Sequence, residues 1–128
     1  MAEPPEIDPA SLARAEAALA ALSSRYLEWA EADLHRLEAC HATLQTGGAP
    51  LLAALHAIAH DMKGQAATFD YPLVGELAAR LCRRTLTEGE PDSAAIGRLV
   101  GALGEAIRLR LSGDGGDRGR RLLAETGD

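Results

Sequence analysis

The sequence predicts an all-α protein, an up-down-up-down antiparallel four-helix bundle with a long N-terminal helix. Three observations point there. Of 128 residues, 26 are Ala and 20 are Leu, the strongest helix formers. Val and Ile together number six and the aromatics four, Tyr26, Trp29, Phe69 and Tyr71, too few of the residues that strands favour. Gly and Pro also cut the chain into four helix-patterned segments, and their short connections force neighbouring helices to run antiparallel.

The first helix begins at Asp8-Pro9, an N-cap acid followed by proline at the first helical position. It runs to about Leu44, before Gly47-Gly48, with Leu12, Leu19, Leu22, Tyr26, Trp29, Leu34, Leu37 and Leu44 at roughly helical spacing. At 1.5 Å per residue it would be about 54 Å long, so it either breaks near Ser23-Ser24 or overhangs the bundle. The second helix runs from Pro50 to about Phe69. The third runs from Pro72 to about Thr87, where Glu88-Gly89-Glu90-Pro91 intervenes. The fourth is capped by Asp92 or Ser93 and ends at Leu111, before Gly113-Asp114-Gly115-Gly116. Its Gly97, Gly101 and Gly104 flank the apolar stripe of Ile96, Val100, Leu103 and Ile107, a pattern that predicts close helix packing. Three regions follow: a disordered N-terminus (1–7), the bundle (8–112) and a flexible Gly/Arg-rich tail (113–128). Within the tail, Arg120-Arg121-Leu122-Leu123 is expected to fray rather than dock.

A net charge of −6 with no basic face argues against nucleic acid as a partner. No apolar run has the roughly 18 to 20 residues of a membrane span, and Met1-Ala-Glu-Pro-Pro-Glu is not a secretory signal. Cys40 and Cys82 form no close pair, as expected of reduced thiols in a cytoplasmic protein. Charge is nonetheless uneven. Residues 80–121 hold nine of the thirteen basic residues, and Lys63 is the only lysine.

On a helical wheel Leu52, Leu55, Ile58, Ala59, Met62, Ala66 and Phe69 of the second helix form one core-facing arc, and His60 lies about 140° from its centre. Its neighbours on that outer face are Ala53, His56, Ala57, Lys63, Gly64 and Ala67. Four of these six are Ala or Gly, where an exposed helix normally carries long charged side chains. Gly64 costs a helix about 1 kcal/mol relative to alanine, and a closely approaching partner would explain it. Lys63, three residues after His60, can reach the space above the same ring.

The run Ala59-His60-Asp61-Met62-Lys63-Gly64-Gln65-Ala66-Ala67 resembles the motif of the histidine-phosphotransfer (HPt) family of bacterial two-component phosphorelays. That motif is a His, any residue, an apolar residue, Lys, Gly and a small or polar residue, on the second helix of a four-helix bundle. The resemblance covers residues 8–111 in architecture and about nine residues in motif. It implies that His60 accepts a phosphoryl group through Nε2 from a receiver-domain aspartate and returns it to another. Lys63 would stabilise the phosphoryl oxygens, Gly64 would clear the receiver's approach, and His56, Gln65 and Ala67 would line the docking face. The partners implied are receiver domains of a hybrid histidine kinase and of a response regulator. The protein would be a monomeric phosphocarrier and not an enzyme, without a cofactor of its own, the Mg²⁺ being supplied by the receiver. Two positions depart from the pattern: Gln65 stands where Ser is usual, and Asp70, ten residues after the histidine, where glycine is frequent. Asp61 resembles the acid that follows the histidine in sensor kinases, but no nucleotide loop accompanies it.

Arg80 and Arg84, one turn apart on the third helix, either face the acidic mouth of a receiver or form a solvated face. Two other readings of the chain stand beside phosphotransfer. His56 and His60, at i and i+4, could be two ligands of a metal site, although third and fourth ligands are not evident. The chain could also be a non-catalytic helical adaptor or dimerisation module, pairing through an overhanging first helix or the Gly97, Gly101 and Gly104 stripe.

Overall fold

A computed structural model describes residues 8–44, 49–87 and 89–127. The expected disorder of residues 1–7 and the Gly47-Gly48 stop fall outside these residues. Five helices and no strand are present among them: α1 (Pro9–Ala42), α2 (Ala49–Thr68), α3 (Pro72–Thr85), α4 (Ser93–Arg108) and α5 (Gly116–Thr126). None is long and apolar enough to cross a membrane.

The caps act where the sequence puts them. Asp8 accepts from the Ala10 amide at the start of α1, with Pro9 in the first turn, and Asp92 accepts from the Ala95 amide at 3.0 Å at the start of α4. Where α2 turns into α3, Asp70 takes a left-handed φ of 62°, and the Tyr71 amide closes back onto the Ala66 carbonyl at 3.0 Å. Helices commonly end on such a left-handed residue, usually glycine, and aspartate is among the few other side chains that tolerate it.

Around the core α1 packs against α2 and α4, α2 against α3, and α3 against α4. Leu34, Leu37, Leu55, Leu77, Leu81, Ile96, Leu99 and Leu103 fill the centre of this ring and are fully buried. Tyr26 stacks on Phe69 and Tyr71, at centroid distances of 5.2 and 4.9 Å, and ties α1 to the α2–α3 turn. Burial, then the neighbouring Tyr71 and Asp33, push its hydroxyl pKa up to about 12.

α1 is one unbroken helix of 34 residues, so of the two alternatives for its length the overhang is realised. Tyr26 is the first buried position along it. Before Tyr26, Leu12, Leu19 and Leu22 remain exposed, Leu19 at 65%.

The tail requires a correction. Residues 113–128 are not simply a flexible stretch, because Gly116–Thr126 forms α5, which packs against α4. Its entry turn needs glycine: a Cβ on Gly119 would lie 2.0 Å from the Asp114 carbonyl oxygen. Leu122 is buried beneath the helix. At its far end the Arg80 guanidinium donates to the carbonyls of Leu123 (2.7 Å) and Gly127 (2.8 Å), satisfying oxygens that a helix C-terminus leaves open.

Of the α4 glycines, Gly97 and Gly104 face α1. A Cβ on Gly97 would lie 3.0 Å from the His41 ring, and one on Gly104 would lie 3.8 Å from Leu34. Gly101 is different, since nothing lies within 4 Å of its Cβ position. The close-packing expectation therefore holds for two of the three.

Candidate functional site

α2 turns Leu55, Ala59, Met62 and Ala66 into the core, with Leu52, Ile58 and Phe69 half-buried beside them. Helical geometry then sends His60, Lys63, Gly64 and Ala67 to the opposite side, and all four are exposed, as are Ala53, Ala57 and Asp61. Among the described residues, neither His60 nor Lys63 has a side-chain hydrogen bond or ion pair. Among the described residues a Cβ on Gly64 would meet nothing within 4 Å, so their packing gives no reason for glycine there.

His56, one turn before His60, differs from it in every respect but its ring. It is half-buried, and its Nδ1 lies 2.8 Å from Oγ1 of Thr85 on α3. The Thr85 hydroxyl donates to the Cys82 carbonyl at 2.7 Å. A hydroxyl has one proton, so at Thr85 the imidazole must be the donor: the Nδ1–H of His56 points to α3 and Nε2 is the ring nitrogen left over. The His56 and His60 rings are nearly parallel, with centroids 6.2 Å apart and planes 16° from each other. Thr85 is buried and was not legible as a site residue, since it is 29 positions from His56 and ends an unrelated helix.

Two features bring α3 close to this face. A Cβ on Gly75 would lie 3.5 Å from the Ala66 Cβ and 3.9 Å from the Lys63 carbonyl, so its absence lets the two backbones approach. Cys82 is buried on the same flank. Burial pushes its thiol pKa up, against the opposing pull of Lys63 and Arg83, so the Lys63 ammonium acts electrostatically across the α2–α3 groove.

The other expected site residues separate. Gln65 is half-buried on the flank of α2, and its Oε1 is buried without a hydrogen-bond partner among the described residues; it does not join the His60 face. Arg80 requires a correction. Its guanidinium holds the end of α5 and pairs with Glu76 at 3.0 Å, so it is not a charge held out towards a partner. Arg84 is half-buried on α3. No three His, Cys, Asp or Glu side chains among the described residues converge as a metal-ion cluster.

An exposed imidazole with both nitrogens uncommitted, a cation one turn away and a surround of Ala and Gly make a surface on which a nucleophile is open to a large partner. No curated protein and no solved structure matches the chain. The family model of the Hpt domain matches residues 9–110, from the first turn of α1 to just past the end of α4, and the chain therefore belongs to the Hpt family, whose members carry phosphoryl groups on histidine in phosphorelays and are not kinases.

Proposed function

We propose that this chain shuttles a phosphoryl group between receiver-domain aspartates through His60. The observation that carries the proposal is the condition of that residue: exposed, its side chain without a hydrogen bond among the described residues, and set among Ala53, Ala57, Gly64 and Ala67. In the transfer, the lone pair of His60 Nε2 forms an N–P bond in line as the P–O bond to the aspartate breaks, and the electron pair leaves with the carboxylate. Little of this chemistry asks for covalent help from the protein, so positioning and charge dominate. Lys63 lies where its ammonium can meet the phosphoryl oxygens, and Gly64 leaves room for the receiver's loops. Mg²⁺ belongs to the acidic pocket of the receiver, where it offsets charge on the phosphoryl group.

A single chain presents the whole face, so transfer needs no residue from a second copy; the proposal places this monomer in the cytoplasm, between receivers of a hybrid histidine kinase and of a response regulator. The up-down-up-down arrangement is supported by contacts running in opposite directions: His56 to Thr85 and Ala66 to Gly75 between α2 and α3, and Leu34 to Gly104 and His41 to Gly97 between α1 and α4. The exposed Leu12, Leu19 and Leu22 favour a second reading, a helical adaptor that pairs through the α1 overhang, and light scattering tests it.

The test of transfer is direct. Incubation with a ³²P-phosphorylated receiver and Mg²⁺ should place acid-labile, base-stable label on the wild type and none on His60→Gln. Failure to accept label from every receiver of the same organism would overturn the reading.

A further inference from the structure

The ring beside His60 has a task that phosphotransfer through His60 alone leaves open. A half-buried imidazole on α2 is fixed at Nδ1 by a buried hydroxyl, which is itself fixed by a backbone carbonyl. This chain of two hydrogen bonds settles three things about His56: its tautomer, its ring orientation and which nitrogen is left over. The remaining nitrogen, Nε2, has no partner among the described residues, and the ring lies nearly parallel to that of His60 at a centroid distance of 6.2 Å. Hydrogen bonding at one imidazole nitrogen is a general means of aiming the other.

We propose that His56 is a second imidazole of the phosphoryl site, positioned by Thr85 and taking up a proton on Nε2 when His60 is phosphorylated, so that an imidazolium flanks the phosphoryl oxygens. The inference rests on His60 being the phosphorylated residue. Its physical basis is a charge balance. Before phosphorylation, the adjacent His60 ring presents no negative charge to His56. Phosphorylation places a group of about −2 charge on the adjacent ring, and an opposite charge that close favours the protonated form of an imidazole. The proton comes from solvent and returns there when the phosphoryl group leaves; no other bond changes.

Among the described residues, the titratable and charged groups within about a turn of His56, His60 and Thr85 along their helices are His60, Asp61 and Lys63 on α2 and Cys82, Arg83 and Arg84 on α3. Asp61 is on the far side of His60 on the helical wheel, so the phosphoryl group is the anion that the His56–His60 edge gains. Thr85 stays a donor to Cys82 in both states, and only Nε2 of His56 changes.

The experiment uses the whole chain and needs no receiver. Phosphoramidate phosphorylates imidazole nitrogens directly: the His60 Nε2 lone pair forms the N–P bond as the P–N bond of the reagent breaks and ammonia departs. Long-range ¹H–¹⁵N spectra of the imidazoles, with His60→Gln identifying the labelled site, then report the protonation of His56 before and after loading. At pH 7, a larger fraction of His56 should carry protons on both nitrogens in the loaded protein than in the unloaded one. A His56 that stays neutral after His60 is loaded overturns the proposal, and because the wild type is measured, no folding defect can mimic that result.

A second measurement reads the consequence. In equilibrium with a phosphorylated receiver, the wild type should hold the phosphoryl group about tenfold more favourably than His56→Phe at pH 6.5, with the two converging by pH 8.5; a tenfold change corresponds to about 1.4 kcal/mol. Thr85→Val should behave as His56→Phe does, and Thr85→Ser, which restores the hydroxyl, as the wild type does. Equal partitioning of wild type and His56→Phe at both pH values overturns the proposal. Absence of any transfer from receivers, with phosphoramidate loading intact, would instead count against the receiver-transfer reading and leave the imidazole result standing.

Discussion

The outer face of α2 and the inner face of α4 both carry glycine inside a helix, for opposite reasons. At Gly97 a neighbour fills the space: a Cβ would lie 3.0 Å from the His41 ring, whose Nε2 donates to the Ser93 carbonyl at 3.1 Å. At Gly64 nothing among the described residues lies within 4 Å of a Cβ. A glycine that packing explains is part of the fold, whereas Gly64, like Gly101, is one that packing among the described residues leaves unexplained. Gly97 is therefore a structural device, and Gly64 is open to the clearance role proposed for it.

The contrast is broken or sharpened by substitution, and the largest effect should come from the open side. Gly64→Gln should slow transfer from a phosphorylated receiver on the order of 100-fold, since small misplacements of reacting groups carry penalties of that size. Thermal unfolding should meanwhile show no loss of stability, because a residue with better helix propensity replaces glycine in open space. Wild-type transfer by Gly64→Gln would remove the case for clearance. On the packed side the pattern should invert. Gly97→Val should lose about 1–3 kcal/mol in denaturant unfolding as His41 is driven from Ser93, with transfer per folded molecule unchanged.

A smaller effect belongs to the end of α5. Arg80→Ala removes the guanidinium from two carbonyls and should cost about 1–2 kcal/mol, seen as faster amide exchange across residues 116–126 with transfer through His60 intact. A large loss of transfer would return Arg80 to the partner-facing role that its sequence position suggests. The smallest effect at neutral pH concerns Tyr26. With its hydroxyl pKa pushed up to about 12 from an ordinary value of about 10, the fold favours the neutral phenol. Its contribution is fully present below about pH 10 and is lost as pH rises through about 12. Tyr26→Phe has no proton to release and should unfold less steeply than the wild type over that window.

Much of this was legible in the sequence because the relevant rules are local. Pro9, Pro72 and the Asp92 cap open helices where expected, and the 3.6-residue period separated Leu55, Ala59 and Met62 from His60, Lys63 and Gly64. What was not legible depends on contacts distant in sequence. The four glycines of 113–119 suggest a linker, yet Gly119 is what allows the turn into α5 to close on Asp114. Arg80 looked available because nothing near it in sequence shows that the chain returns 43 residues later to present the Leu123 carbonyl. His56 was placed on the right face, but the hydroxyl that orients it sits on another helix. Periodicity gives a side chain's direction from its helix and says nothing of what waits there.

The unbroken α1 has a consequence for how the chain breathes. Starting a helix is the unfavourable step and extending one is nearly neutral, so the buried turns from Tyr26 onward act as a permanent nucleus for the seventeen helical positions before it. That free half should lengthen and shorten from its tip, with amide exchange slowing residue by residue from Asp8 towards Tyr26 and no single opening event. A stretch with no core of its own thus remains helical on credit from the half that has one.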